Sequence, residues 1–156
     1  MGEQKKNESD IELALNVLRS NFEGPASIFL IFASLFEQRG SGTLVGISSV
    51  AGERGRAKNY IYGSSKAGFT VFLSGLRNRL AMNGVHVITV LPGFVATKMT
   101  NNIQLPKRIT AQPDQVGKAI FNAVKKKTNI VYVSPIWRII MTGSYTHLRA
   151  PETQRD

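Results

Sequence analysis

Tyr62 and Lys66 lie four residues apart, and a serine pair, Ser48-Ser49, ends thirteen residues before the tyrosine. Residues four apart on a helix share a face, so the Lys66 ammonium can lie beside the Tyr62 phenol and favour its ionised form. A weak acid of pKa about 10 would then serve as proton donor and acceptor near neutral pH. A serine hydroxyl within reach would hydrogen-bond the same reacting oxygen. Proton transfer at a carbonyl or alcohol is the chemistry these groups suit. A tyrosine with a lysine four residues later is a weak signal by itself, and its weight comes from what surrounds it.

Val45-Gly46-Ile47-Ser48-Ser49-Val50-Ala51-Gly52 reads as a β-strand ending in a serine-rich turn. That delivers a hydroxyl at a strand's carboxyl end, where open α/β sheets place their ligands. Ser49 is the candidate hydroxyl and Ser48 the alternative, because adjacent strand residues face opposite ways. Leu91-Pro92-Gly93-Phe94-Val95-Ala96-Thr97 follows another apolar strand, and Asn21 lies in a helix twenty-eight residues before Ser49. Each has a structural alternative: Asn21 can satisfy carbonyls freed at a helix kink, Thr97 can begin a short helix, and Tyr62 with Lys66 can be an exposed surface pair.

Taken in order, these elements resemble the short-chain dehydrogenase/reductase family over residues 9–140. The resemblance implies a catalytic tetrad of Asn21, Ser49, Tyr62 and Lys66. It also implies contacts to NAD or NADP from Tyr62, Lys66, Pro92, Gly93, Val95 and Thr97, the last meeting the nicotinamide carboxamide. The fold implied is α/β, a partial Rossmann-like doubly wound parallel sheet of three strands and three main helices. The family's N-terminal strand, glycine-rich turn and helix, which receive the cofactor pyrophosphate, have no counterpart here. Gly40-Ser41-Gly42 precedes a strand rather than following one and reads as a connecting turn. The expectation is therefore the C-terminal half of such a domain over residues 9–142, inactive alone. A tail, residues 143–156, resembles translated sequencing adapter and is set apart as non-native or disordered.

The segments 59–63, 92–99 and Pro135-Ile136-Trp137-Arg138 further resemble the bacterial branch containing decaprenylphosphoryl-2-keto-erythro-pentose reductase. That resemblance implies a carbonyl on a lipid-linked or phosphorylated sugar, with peripheral membrane contact of a cytoplasmic protein. Complete relatives commonly pair the helices corresponding to those of Asn21 and Tyr62 across a homo-oligomer. The other class of function is a non-catalytic half-domain serving as an interaction module.

Composition narrows the field. The 42% hydrophobic content over 156 residues supports one packed core. There is no cysteine, hence no disulfide framework or thiolate metal site, and two histidines do not make a metal cluster. The net charge of +10 is spread through the body of the chain rather than gathered in an arm. Lys125-Lys126-Lys127 closes a helix, where cations favour the carbonyl end. Aromatics are not interleaved with basic residues in the manner of single-strand binders, which argues against nucleic acid and for a basic channel serving a phosphorylated ligand.

The periodicity predicts one long helix over residues 9–38, kinked at Gly24-Pro25. A strand over 43–48, an Arg- and Gly-rich loop over 52–59 and a helix over 60–82 burying Val71, Phe72, Leu76 and Leu80 should follow. A continuous apolar strand over 85–91 suits a parallel sheet covered on both faces. A loop over 92–105 resembles the family's substrate lid, and Thr110 is read as N-cap of a helix running to Lys127. A short strand over 129–133 ends the pattern, before an apolar stretch from Pro135 that is too short to span a bilayer. Lacking its neighbour, the 43–48 strand should expose an edge open to association.

Overall fold

The computed structural model describes residues 4–97, 100 and 106–146. Helices α1 (Gln4–Ser9) and α2 (Ile11–Leu18) are divided by Asp10, whose carboxylate accepts the N–H groups of Glu12 and Leu13 as N-cap of α2. A π-helical turn, Arg19–Glu23, joins α2 to α3 (Gly24–Arg39). The expected kink at Gly24-Pro25 thus takes the form of a widened turn. Pro25 has no N–H to continue the ladder, and the Gly24 N–H reaches back to the Arg19 carbonyl instead.

Gly40, in the left-handed conformation, ends α3. Strand β1 (Gly42–Ile47) leads through a short turn, Val50–Gly52, to α4 (Tyr60–Leu80). Strand β2 (Val85–Leu91) runs parallel beside β1, with Gly42 opposite Val85 and Ile47 opposite Val90. Two-residue strands β3 (Phe94–Val95) and β4 (Thr110–Ala111) pair parallel with each other, a piece the sequence reading missed. Helix α5 (Pro113–Lys126), strand β5 (Ile130–Tyr132) and helix α6 (Pro135–Thr146) complete the chain. The main sheet has the order β1-β2-β5, all parallel.

Strand β2 is central, which explains its unbroken apolar run. Val85 and Val87 face Leu73, Leu76 and Leu80 of α4, and Ile88 and Val90 face Ala123 and Ile120 of α5. Helices therefore cover both faces. A third cluster, Val50, Leu91, Trp137 and Met141, closes the carboxyl end of the sheet beneath α6. Gly46 of β1 faces α4 so closely that an added Cβ would run into the Leu73 side chain.

Several expectations need correction. Val71 is 71% exposed, because the buried stripe of α4 runs through Phe69, Leu73, Leu76 and Leu80. Phe72 is only partly buried against that core. Thr110 belongs to β4, and the N-cap of α5 is Gln112, paired with Gln115 in a reciprocal capping box. Helix α6 runs on through Thr146, past the boundary set at residue 143, and 147–156 lie outside the described residues. So do Lys98, Met99 and 101–105 of the expected lid segment. Among the described residues strand β1 is an edge of the sheet, paired with β2 alone. Among the described residues no helix is long and apolar enough to cross a membrane.

Arg77 ties the layers together. From α4 its guanidinium donates to the Val87 carbonyl (2.8 Å), Thr89 Oγ1 (2.6 Å) and the Asn129 carbonyl (3.0 Å), and burial lowers its pKa. Arg77→Ala would strip three acceptors of a charged donor. It is expected to lower stability by roughly 2–3 kcal/mol, read as a lower urea midpoint with unchanged slope, with Arg77→Lys restoring only part.

Candidate active site

The carboxyl ends of β1 and β2 lie side by side because the chain continues to pair beyond them. The Ser48 N–H donates to the Val90 carbonyl (2.9 Å) and the Val50 N–H to the Pro92 carbonyl (3.1 Å). This sets Ser49 next to Pro92, with extended backbone (φ −168°, ψ 151°). Its Oγ accepts the Ala51 N–H at 3.1 Å, holding the turn that follows. Ser48 faces the other way: its hydroxyl bonds the Lys66 carbonyl (2.9 Å) and Thr70 Oγ1 (2.6 Å). Alternation along the strand decides between the two serines, and Ser49 is the one turned to the cavity.

Tyr62 stands in the first turn of α4 and lines the same cavity as Ser49, whose side chain favours the ionised phenol. Ser49 also lies 3.4 Å from the Pro92 carbonyl, a longer and weaker contact. Close backbone packing makes the meeting possible. A Cβ on Gly52 would come within 2.6 Å of the Ala67 nitrogen and 2.7 Å of the Lys66 carbonyl carbon, and one on Gly63 within 2.9 Å of the Ala51 oxygen. Both glycines sit where the serine turn presses on α4.

Lys66 corrects a sequence-based expectation. Its ammonium donates to the Ile47 carbonyl at 3.1 Å and lies over the Tyr62 ring, 5.8 Å from the centroid. Burial raises the Tyr62 pKa above its ordinary value, opposed only by the Ser49 hydrogen bond, and burial lowers that of Lys66. Ser49→Ala should therefore push the phenol higher still. An ultraviolet difference titration against Tyr62→Phe checks this, and a downward shift in the alanine variant would contradict it.

Asn21 lies in the π-helical turn, where its amide donates to the Val17 carbonyl (3.0 Å) and reaches Ser20 Oγ (3.3 Å). It thus satisfies a carbonyl of its own helix while still lining the cavity. Thr97 likewise begins a turn, its N–H donating to Thr100 Oγ1 at 3.0 Å. Ser49, Tyr62, Lys66, Pro92, Gly93, Val95 and Thr97 join Asn21 around this single cavity of about 480 Å³.

The sequence reading missed Trp137 as a wall of the cavity. The chain's one tryptophan is 4% exposed, and its indole donates to the Ile109 carbonyl (3.1 Å). It meets Phe94 edge to face and covers Gly93 so closely that a Cβ there would collide with the ring. A lone tryptophan after the last strand was the available signal, but an apolar stretch does not say what it packs on. Asn59 and Arg56 also line the cavity and were not singled out. His86 lies on β2, away from this end, with its Nε2 buried and unbonded. Among the described residues no three His, Asp or Glu side chains are grouped to hold a metal ion.

A parallel sheet with a Ser, Tyr and Lys constellation at its carboxyl end defines a dehydrogenase-type α/β domain. The short chain dehydrogenase family model matches residues 1–108, and the chain belongs to that family. It is 36% identical over 142 residues to an uncharacterised oxidoreductase of Streptomyces coelicolor, covering 91% of this chain and 56% of that protein. An uncharacterised oxidoreductase of Mycobacterium tuberculosis is 34% identical over 133 residues, covering 85% and 53% respectively. The chain thus spans about half the length of these relatives. A crystal structure of a short chain dehydrogenase from Burkholderia cenocepacia in complex with NADP superposes with a TM-score of 0.79 at 23% identity, covering 88% of this chain and 56% of that one.

Proposed function

We propose that this chain carries the catalytic half of an NAD(P)-dependent oxidoreductase that moves a hydride between nicotinamide and a carbonyl or alcohol carbon. The observation that carries the reading is the gathering of Ser49, Tyr62 and Lys66 around one cavity at the carboxyl end of a parallel sheet, with the Lys66 ammonium over the Tyr62 ring.

The cavity fits the nicotinamide end of the cofactor. Tyr62, Lys66, Pro92, Gly93, Val95 and Thr97 would hold ring and ribose, and the volume leaves room for a small substrate beside them. Among the described residues there is no glycine-rich turn leading from a strand into a helix, so the pyrophosphate and adenosine would need a preceding segment. When bound, nicotinamide supplies or accepts the hydride. Tyr62 gives a proton to the carbonyl oxygen in reduction and takes it back in oxidation. Ser49 donates to the same oxygen and holds the reacting carbon in place. Lys66 binds the ribose hydroxyls, and Asn21 positions a water linking Lys66 to solvent.

The substrate proposed is a small carbonyl or alcohol compound, with a lipid-linked or phosphorylated sugar as the finer reading. Its support is the resemblance of 59–63, 92–99 and Pro135-Ile136-Trp137-Arg138 to the decaprenylphosphoryl-2-keto-erythro-pentose reductase branch. A cytoplasmic homo-oligomer with peripheral membrane contact belongs to the same proposal. The apolar side chains that α3 leaves exposed, Ile28, Ile31, Phe32 and Leu35, support pairing there.

The test is to assay the 156-residue chain alone and joined to whatever coding sequence precedes it. Reduced-nicotinamide oxidation is expected only in the joined form, with a Thr-Gly-x-x-x-Gly-x-Gly segment upstream. Absence of that motif, with no cofactor binding by the joined form, would leave the second reading. That reading is a non-catalytic half-domain that associates through the open edge of β1, and sedimentation of the chain alone would show it.

A further inference from the structure

We propose that Asn59 and Arg56 form the selecting end of the cavity, which takes a carbonyl or alcohol compound bearing a second hydroxyl near the reacting carbon and an oxyanion group beyond it. This rests on the oxidoreductase reading and names its substrate class.

Asn59 presents the main observation. Its Oδ1 is buried and has no hydrogen-bond partner, although the residue holds the N-cap position of α4, where an amide oxygen ordinarily accepts a helix N–H. Its backbone carbonyl accepts the Gly63 N–H (2.8 Å), so the helix begins without help from the side chain. The side chain instead lines the cavity with Tyr62. Buried acceptors are seldom left unpaired, and one carried by a residue that lines the cavity beside Tyr62 points to a donor arriving with the ligand. Residues three apart at a helix start have Cβ atoms about 5–6 Å apart, so the donor would sit roughly two or three atoms from the carbon facing the phenol.

Arg56 adds charge to the same wall. The Asn59 N–H donates to its carbonyl at 3.0 Å, which fixes the turn that presents both side chains. The Arg56 guanidinium reaches Met141 Sδ at 3.8 Å, and no carboxylate pairs with it among the described residues. An unpaired planar guanidinium at the mouth of a site suits phosphate or carboxylate oxygens. The remaining wall, including Val50, Phe94, Val116 and Trp137, is apolar and would pack the carbon skeleton.

The experiment titrates the isotope-labelled 156-residue chain with acetone, dihydroxyacetone, dihydroxyacetone phosphate, levulinate and inorganic phosphate, following amide signals by NMR. Dihydroxyacetone is expected to bind about fivefold more tightly than acetone through the Asn59 acceptor. An oxyanion, on either dihydroxyacetone phosphate or levulinate, is expected to add about tenfold over the matched neutral ketone. Arg56→Ala should erase the oxyanion gain and keep the hydroxyl gain. Asn59→Ala should do the reverse, and Asn59→Asp, which keeps the acceptor if the alanine variant fails to fold, should retain the hydroxyl gain while weakening the phosphate. Equal affinity for all ketones, gains that survive these variants, or inorganic phosphate binding as tightly as the phosphorylated ketone overturns the proposal. Tyr62→Phe should leave the affinity order intact, so its effect on turnover in the joined enzyme tests the acid/base reading separately.

Discussion

Tyr62→Phe in the joined enzyme is expected to lower turnover by about 10²–10⁴-fold while reduced-nicotinamide binding stays unchanged. The substitution removes one oxygen and leaves the ring, which keeps its place under the Lys66 ammonium. What disappears is the group that, on the proposed mechanism, gives the carbonyl oxygen its proton. Fluorescence of the bound reduced cofactor would report binding and steady-state assays turnover. A variant retaining a tenth or more of the parent rate would remove Tyr62 from the proton-transfer role. The raised phenol pKa also sets a direction for pH. A phenol held protonated is a ready acid at neutral pH, so reduction should vary little there. Oxidation needs the phenolate and should accelerate as pH climbs toward and beyond about 10. An oxidation rate that is already level at neutral pH would show that something in the assembled site overcomes the burial effect.

Gly52→Val is the second large expectation, and it acts through backbone geometry. The Cβ alone would come within 2.6 Å of the Ala67 nitrogen and 2.7 Å of the Lys66 carbonyl carbon, neither of which is a side-chain end that can turn aside. Either α4 or the Val50–Gly52 turn must move. Overpacking of this kind costs about 1–3 kcal/mol, seen as a lower denaturation midpoint. A displacement of about 1 Å between Ser49 and Tyr62 would also reduce turnover about 10²-fold. Gly52→Ala should show the same effects more weakly, whereas Gly75→Ala, on α4 with nothing within 4 Å of its added Cβ, should show neither. If Gly52→Val and Gly75→Ala behaved alike, close approach of the turn to the helix would not be what positions the serine.

The sheet was legible because its information is local. The apolar run of β2 and the Pro92-Gly93 turn each say what they are without reference to a partner, and strand bounds moved by only a residue or two. The α5 cap was misassigned because Thr110 has the chemistry of a cap, while the capping box lies two residues on, at Gln112. Val71 was misread because several faces of an apolar helix look buried until the sheet is in place. The β3–β4 pair was missed because two-residue strands leave almost no periodicity to read.

For the site, the primary structure by itself determined which kinds of group could meet: a hydroxyl at a strand's end, and a phenol with a lysine one turn along the next helix. Side-chain identity and spacing along one element are properties of the chain. Only the tertiary structure decided that the Ser48 hydroxyl is tied to Lys66 and Thr70 while Ser49 bears on the phenol, and that Lys66 stands over the ring with its ammonium on the Ile47 carbonyl. It also decided that Trp137 closes the cavity from the far end of the chain and that burial raises the phenol's pKa. Those outcomes depend on distances through space and on loss of water. Both arise only when elements remote in sequence pack together.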